Sequence, residues 1–389
     1  MNVGFRYGAD KPGFERAQRV PGVDFLRAVA ILSVMMYHLS SHGVAMPAFV
    51  EHGWLGVDLF FVLSGYLIGW QVLREYARSS EPHWGPFILG RALRILPAYY
   101  AVLAFYVLFP HGREGGNIQP LWKFVTFSIN LSSNWEHGLA YSHAWSLCVE
   151  EHFYLLFPFI VWLLAGRSRS IHVSAVAISL VAGGVLLRAW YWDHQVAPVL
   201  VAGDIGTAMR NYVTAIYNPT YARLDGLLAG VMLASVRAFR PLWWECLLRH
   251  PWLLLAAGAT TLLCSAQIQP ISSLGATVLF PLIALGCACL LAGVLSSATW
   301  IGRFQLPGTK VMATLAFSLY LTHKQVYAWL DMWLPKVGEL GTTITFFIYI
   351  LASVAIASLL YIGVERPGLR FRERYLHNRR LLDSRSLKP

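Results

Sequence analysis

Charged side chains are scarce in this sequence. Asp, Glu, Lys and Arg together make up 13% of the 389 residues, whereas about 25% is typical of soluble domains. Hydrophobic residues reach 56%, which leaves too few polar side chains to cover a water-facing surface. We therefore predict an all-α, polytopic membrane protein with the lipid bilayer as its partner, because α-helices satisfy their own backbone hydrogen bonds there.

Acidic residues are the rarer of the two charges. There are 20 Asp and Glu against 31 Lys and Arg, so the formal net charge is +11. In a soluble protein such an excess suggests binding to nucleic acid. Here most basic residues flank apolar segments, so membrane topology explains the excess better and no nucleic-acid partner is expected.

Several familiar kinds of site have no counterpart in the sequence. The five cysteines include no CxxC pair, and none falls in a predicted external loop, so neither a disulfide framework nor a metal site is expected. The GxxxxGK, GxGxxG and HExxH motifs are also missing, so nothing supports nucleotide hydrolysis, dinucleotide binding or zinc-protease chemistry. The first 22 residues are too polar for a signal peptide, and the first helix is expected to stay uncleaved.

Ten apolar segments are long enough to cross about 30 Å of hydrocarbon. A further segment, 121–132, is too short and is expected at the membrane interface. With the N-terminus inside, 23 of the 31 lysines and arginines lie on the cytoplasmic side and four outside. An extra crossing near residue 125 would move the basic tail outside, so we predict ten transmembrane helices with both termini cytoplasmic. The segments are approximately 23–42, 53–73, 93–110, 144–165, 172–192, 217–236, 250–268, 276–297, 311–333 and 342–363.

This topology divides the chain into three parts. We predict a cytoplasmic N-terminal segment over 1–22, a transmembrane domain over 23–367 and a basic cytoplasmic tail over 368–389. The tail is expected to be solvated or to contact lipid headgroups.

The first segment carries two ionisable residues, Arg27 and His38. Eleven residues separate them, which places both on nearly one stripe of a helix, about 16 Å apart. Ionisable groups in hydrocarbon cost at least about 2.5 kcal/mol each, so they are tolerated where they line a cavity or do chemistry. The alternative is an arginine that reaches toward the headgroups and a histidine hydrogen-bonded to a neighbouring helix.

Other polar residues fall in the outer halves of the predicted spans. Glu150 and Glu151 point about 100° apart, so one can be structural and the other functional. Arg223 and Asp225 do not share a helix face, so each needs partners on other helices, and a purely structural network is an alternative. Arg188 is expected to reach outward. Together with His38, Asp58 and His323, these side chains form a layer of ionisable residues in the outer halves of the spans.

The inner half holds a second set of charges. Arg91 and Arg94 are three residues apart and share a face at the mouth of the third span. Because arginine suits two-pronged contacts with phosphate, an anionic cytosolic cofactor could bind there. Ordinary enrichment of basic residues on the cytoplasmic side is the alternative.

Seven stretches in order give the chain a resemblance to the membrane acyltransferase 3 family, from Val23 to about Pro367. Each stretch alone is weak, but the ordered set is specific. They are DFLRAVAILSVMMYH at 24–38, GVDLFFVLSGYLI at 56–68, RALRILPAYY at 91–100, HAWSLCVEEHFYLLFP at 143–158, NPTYARLDGLLAG at 218–230, FSLYLTH at 317–323 and VERP at 364–367.

The resemblance implies transfer of an acyl group, usually acetyl, from cytosolic acyl-CoA to a hydroxyl of an extracytoplasmic glycan, by a multi-pass protein of the bacterial inner membrane. It matches Arg27 and His38 to the family's paired residues, and Glu151 to its acid. His152 stands where the family often has Gln. Some members carry an appended esterase-like domain, which we do not find here, so the chemistry is expected within the helical bundle.

The expected mechanism needs a base, because a sugar hydroxyl is a poor nucleophile. We predict that His38, oriented by Asp58 or Glu151, removes the hydroxyl proton, and that His323 belongs to the same catalytic layer. The other assignments are Arg27, Arg91 and Arg94 to the phosphates of acetyl-CoA, and Ser64, Tyr320 or Arg223 to the oxyanion.

Two other classes of function remain open on the sequence. Buried His, Glu, Asp and Arg also form proton relays in transporters, although we find no inverted repeat with paired broken helices. A non-catalytic membrane scaffold is the third alternative. Within the enzyme hypothesis, the acceptor can be lipopolysaccharide, exopolysaccharide, a lipooligosaccharide signal or a small metabolite, and the acyl group can be acetyl or another.

Overall fold

The computed structural model describes residues 20–78, 84–132, 138–163, 169–334 and 341–375. Throughout these ranges the ordered elements are helices and no strand occurs. The described residues form ten long helices, and each of these overlaps one of the ten segments predicted from the sequence. They are α1 Pro21–Ser40, α2 Leu55–Ala77, α3 Trp84–Leu108, α4 Trp145–Leu163, α5 Arg169–Tyr191, α6 Asp225–Phe239, α7 Pro251–Ser265, α8 Phe280–Leu295, α9 Thr309–Trp333 and α10 Thr342–Leu360.

Seven helices of the described part are long and apolar enough to cross a membrane. A short helix, Pro241–Leu247, meets α7 at 73°, and this bent pair gives an eighth candidate if it is one span. Helix α6 has only 15 residues, and α9 carries several charged residues. The prediction of an all-helical, polytopic membrane protein is confirmed, while the count of ten spans and the side of each terminus stay predictions.

Two boundaries differ from the sequence prediction. Helix α3 begins at Trp84 rather than near residue 93, so Arg91 and Arg94 lie within the helix instead of at its mouth. The predicted span 217–236 is broken, because Pro219 lacks the backbone N–H that a continuous helix needs. Arg223 therefore lies in the break, just before α6. The segment 121–132 forms only a short helix followed by turns.

Small residues let α2 and α6 pack closely. A Cβ atom added to Gly65 would lie 2.0 Å from the carbonyl oxygen of Leu227, and one added to Gly230 would lie 2.2 Å from that of Val62. Only glycine fits at such distances, which is a common solution for helix pairs in membranes. Helix α1 packs against both α2 and α9, so the polar residues of these three helices meet inside the bundle.

The described residues include four π-helical turns, each continuous with a neighbouring helix, at Trp192–Val196, Val213–Tyr217, Gly275–Leu279 and Tyr361–Glu365. A π turn inserts an extra residue and rotates the side chains that follow, and such turns are frequent at functional sites. The last turn buries Glu365, whose carboxylate accepts a hydrogen bond from the hydroxyl of Ser318 at 2.7 Å.

Candidate active site

The last turn of α1 brings His38 against His323 of α9. Their Nδ1 and Nε2 atoms are 2.8 Å apart. His323 Nδ1 lies 2.8 Å from the carbonyl oxygen of Leu319, which can only accept, so this nitrogen carries the proton. In the neutral pair, His323 Nε2 must then accept from the Nδ1–H of His38. This assignment from the hydrogen-bond partners leaves Nε2 of His38 unprotonated and able to accept a proton.

His38 lines a cavity of about 570 Å³ at the end of the bundle that we call the histidine end. The walls come from the last turn of α1, from residues 113–115 and from α9. They include hydroxyl, imidazole, guanidinium, carboxylate and ammonium groups, contributed among others by Ser40, His42, Arg113 and Lys324. A cavity with this mixture of donors and acceptors suits a polar ligand that carries several hydroxyl groups.

The loop over this cavity is fastened to α9. The ammonium group of Lys324 lies 2.5 Å from a carboxylate oxygen of Glu114. The side chain of Gln325 accepts from the backbone N–H of Glu114 and donates to the carbonyl oxygen of Gly112, at 3.1 and 2.7 Å. These contacts hold residues 112–115 beside His38. The role of Lys324 could not be predicted from the sequence, because a contact with a distant loop leaves no local pattern.

A third histidine and a tyrosine lie behind the pair. The ring of His143 is buried and its centroid is 5.6 Å from that of His323. Its Nε2–H points to the carbonyl oxygen of Leu321 at 3.3 Å, while Nδ1 has no partner within the described residues. Tyr320 donates to the carbonyl oxygen of His143 and contacts Ser146 Oγ. Its hydroxyl hydrogen is therefore engaged and not aimed at the cavity.

Tyr141 is a strained residue in the same region. Its φ angle of 58° lies in the left-handed region, which is uncommon for a side chain of this size. Its hydroxyl is buried, without a partner among the residues described, and burial raises the pKa of the phenol well above its ordinary value. Strained backbone is enriched at functional sites. Tyr141 could not be singled out from the sequence, since backbone strain is not a compositional property.

Asp58 and Arg223 bind each other instead of facing His38. A guanidinium nitrogen of Arg223 lies 2.7 Å from Asp58, and both side chains are buried. The guanidinium also lies 4.0 Å from the ring centroid of Phe280. The predicted orientation of His38 by Asp58 therefore gives way to His323, because the carboxylate is committed to an arginine on another element. The same ion pair occupies the guanidinium that was assigned to the oxyanion.

Arg188 is the second buried arginine with a partner. The prediction that it reaches outward is wrong, since it is fully buried and binds Asp225 through two nitrogens at 2.8 and 3.1 Å. Arg223 and Asp225 thus find partners on different elements, as their spacing predicted. These two ion pairs tie together helices α2, α5 and α6 and the break before α6.

The two adjacent acids of α4 have different surroundings. Glu150 accepts hydrogen bonds from the hydroxyls of Ser64 and Tyr154, at 2.9 and 2.7 Å. Glu151 has a buried oxygen, Oε1, with no partner among the described residues. His152 bonds the hydroxyl of Thr220 at 2.7 Å. Glu150 is structural in this arrangement and also engages the hydroxyl of Ser64, whereas Glu151 is free for another role.

The opposite end of the bundle, which we call the arginine end, collects positive charge. Arg27 at the start of α1 lies close enough to Arg91 and Arg94 of α3 for the charges to repel. Arg91 donates to the side chain of Gln71 at 3.1 Å. Acidic side chains lie within reach of the same charges, Asp24 beside Arg27, Glu150 beside Arg91 and Glu365 beside Arg94. Such a cluster can hold a phosphorylated ligand.

Comparison with known proteins gives a consistent family. A family model described as "Acyltransferase domain" matches residues 20–362. A protein of Staphylococcus aureus strain COL named "Putative O-acetyltransferase" is 26% identical over 388 residues, which covers 91% of this chain and 58% of the relative. The O-acetyltransferase OatA of strain NCTC 8325 is 29% identical over 247 residues, 58% of this chain and 37% of the relative. The chain thus spans less than two thirds of these relatives, and no solved structure matches.

Proposed function

Because this chain belongs to the acyltransferase 3 family, we propose that it is an integral membrane O-acyltransferase. It transfers an acetyl group from cytosolic acyl-CoA to a hydroxyl of an extracytoplasmic glycan such as lipopolysaccharide or exopolysaccharide. It works as a multi-pass protein of the bacterial inner membrane. The two S. aureus relatives whose names include O-acetyltransferase support acetyl as the group.

The observation that carries the proposal is the histidine pair at the cavity. His323 fixes the tautomer of His38 through the 2.8 Å contact, so that Nε2 of His38 is free to act as a general base. His38 takes the hydroxyl proton while the acceptor oxygen bonds the acyl carbon and the carbon–sulfur bond breaks. The proton is then passed to the departing thiolate, so that His38 returns to its neutral form.

The arginine end supports a phosphorylated donor. A cluster of three arginines fits an anionic group, and acyl-CoA would supply the acyl group as a thioester. The general enrichment of basic residues on the cytoplasmic side supports a cytosolic position for this end. Arg27 and His38 lie on one stripe of α1, about 16 Å apart, which makes α1 the wall along which the donor's arm reaches the base.

The test is acyl transfer by purified protein with radiolabelled acetyl-CoA and extracted surface glycan. We expect the wild type to label the glycan and His38→Ala to lose at least a hundredfold of that activity. His194→Ala is the matched control, because His194 is exposed and its contacts with the carbonyl oxygen and the ring of Trp190 are local to its own helical turn. Transport of a solute without label in glycan, or full activity of His38→Ala, would contradict the proposal.

A further inference from the structure

The helix that follows α10 returns to the arginine end. Residues 366–375 continue α10 beyond its π turn and carry four arginines. Arg366, Arg370 and Arg374 are exposed, whereas Arg372 is partly buried. One residue of an otherwise solvent-facing basic stretch is thus turned toward the protein.

Close backbone packing sets this position. A Cβ atom added to Gly368 would lie 2.8 Å from the carbonyl oxygen of Leu93, so the segment lies directly against α3. A Cβ atom added to Gly90 would lie 3.6 Å from Cδ of Arg372. The guanidinium group of Arg372 is close enough to Arg94 for the two charges to repel. Arg372 therefore extends the cluster formed by Arg27, Arg91 and Arg94.

The guanidinium group of Arg372 has a hydrogen-bond donor without an acceptor in the described part of the chain. Nε of Arg372 is buried and has no hydrogen-bond partner within the described residues. Among the charges around Arg372, the repulsion by Arg94 outweighs the attraction by the neighbouring Glu373. The deep arginines Arg188 and Arg223 are different, since each binds an aspartate at 2.8 or 2.7 Å. Buried guanidinium groups that repel one another are stabilised by an anion with several oxygens.

We propose that Arg372 is a fourth phosphate-binding residue of the arginine cluster, and that the phosphate it binds is one of those of the acyl-CoA donor. This inference rests on the proposed function. A phosphate can also come from an anionic lipid headgroup, so the test has to separate the two sources.

The test measures binding by the full-length protein in phosphatidylcholine nanodiscs. The ligands are coenzyme A and pantetheine, which lacks the phosphates. We expect Arg372→Gln to weaken coenzyme A binding by about tenfold or more, which corresponds to about 1.4 kcal/mol, and to leave pantetheine binding unchanged. Arg374→Gln, an exposed arginine two residues away, is the matched control and should bind both ligands as the wild type does.

The outcomes separate the two levels of the argument. If the wild type does not bind coenzyme A, the proposed function fails. If the wild type binds and Arg372→Gln matches Arg374→Gln, this inference alone fails. If Arg372→Gln lowers affinity for vesicles that contain phosphatidylglycerol but not for coenzyme A, the phosphate is the lipid's and the donor assignment is wrong. Should Arg372→Gln not fold, Arg372→Lys decides, because lysine keeps the charge but cannot form the two-pronged contact.

Discussion

Replacing His323 by alanine isolates the orienting role of the histidine pair. In the wild type, the 2.8 Å contact holds the proton of His38 on Nδ1. A neutral hydrogen bond contributes about 0.5 to 1.5 kcal/mol, so its loss shifts the tautomer equilibrium by up to about tenfold. The ring also loses its fixed direction, and a misplaced catalytic group can cost about a hundredfold. We expect kcat to fall between tenfold and a few hundredfold, less than in His38→Ala, which removes the base.

The assay is steady-state acetyl transfer with purified protein, with kcat and KM measured separately for donor and acceptor. His38, the partner of His323, is about 16 Å from Arg27 along α1, so the KM for acetyl-CoA should stay unchanged. His323→Gln should recover part of the activity, since its side-chain oxygen can accept from His38 Nδ1–H. Thermal unfolding of each variant controls for the buried position of His323. Wild-type kcat in His323→Ala, or a loss that appears only in the KM for acetyl-CoA, would refute the orienting role.

Three further predictions concern the frame around the site. Asp58→Ala should lower the free energy of unfolding, measured by denaturation in detergent, by about 3–5 kcal/mol, because it leaves Arg223 buried without its partner. Loss of activity at unchanged stability would instead indicate that Asp58 takes part in catalysis. Gly65→Val should prevent accumulation of folded protein, while Gly183→Ala, with no atom within 4 Å of the added Cβ, should accumulate normally on fluorescence-detected gel filtration. Glu114→Gln should raise the KM for the acceptor several-fold and leave the KM for acetyl-CoA unchanged, because it breaks the ion pair that fastens the loop over the cavity. A raised KM for acetyl-CoA with an unchanged KM for the acceptor would contradict the assignment of the cavity to the acceptor.

Properties of single helices could be predicted from the sequence. The spacing of Arg27 and His38 placed both on α1, and the spacing of Arg91 and Arg94 placed both on one helix, because the helical repeat is fixed by backbone geometry. Hydrophobic length located all ten long helices. The break before α6 also had a local signal, Pro219, which the prediction of a continuous span did not use.

Partnerships between helices could not be predicted, because hydropathy does not specify which helices are neighbours. His38 and His323 are 285 residues apart in sequence, and only the packing of α1 against α9 brings them together. The expected outward reach of Arg188 failed for the same reason, since Asp225 comes from a helix that hydropathy alone does not place beside α5. The prediction groups Arg372 with a tail that is solvated or contacts lipid headgroups, because its contact with α3 depends on the close approach at Gly368.

The most direct measurement is the transfer of radiolabel from acetyl-CoA to surface glycan by purified protein, with His38→Ala and His194→Ala compared side by side. We expect labelled glycan for the wild type and for His194→Ala, and at least a hundredfold less for His38→Ala at equal folded protein. Equal labelling by His38→Ala and the wild type would contradict the assignment of His38 as the base.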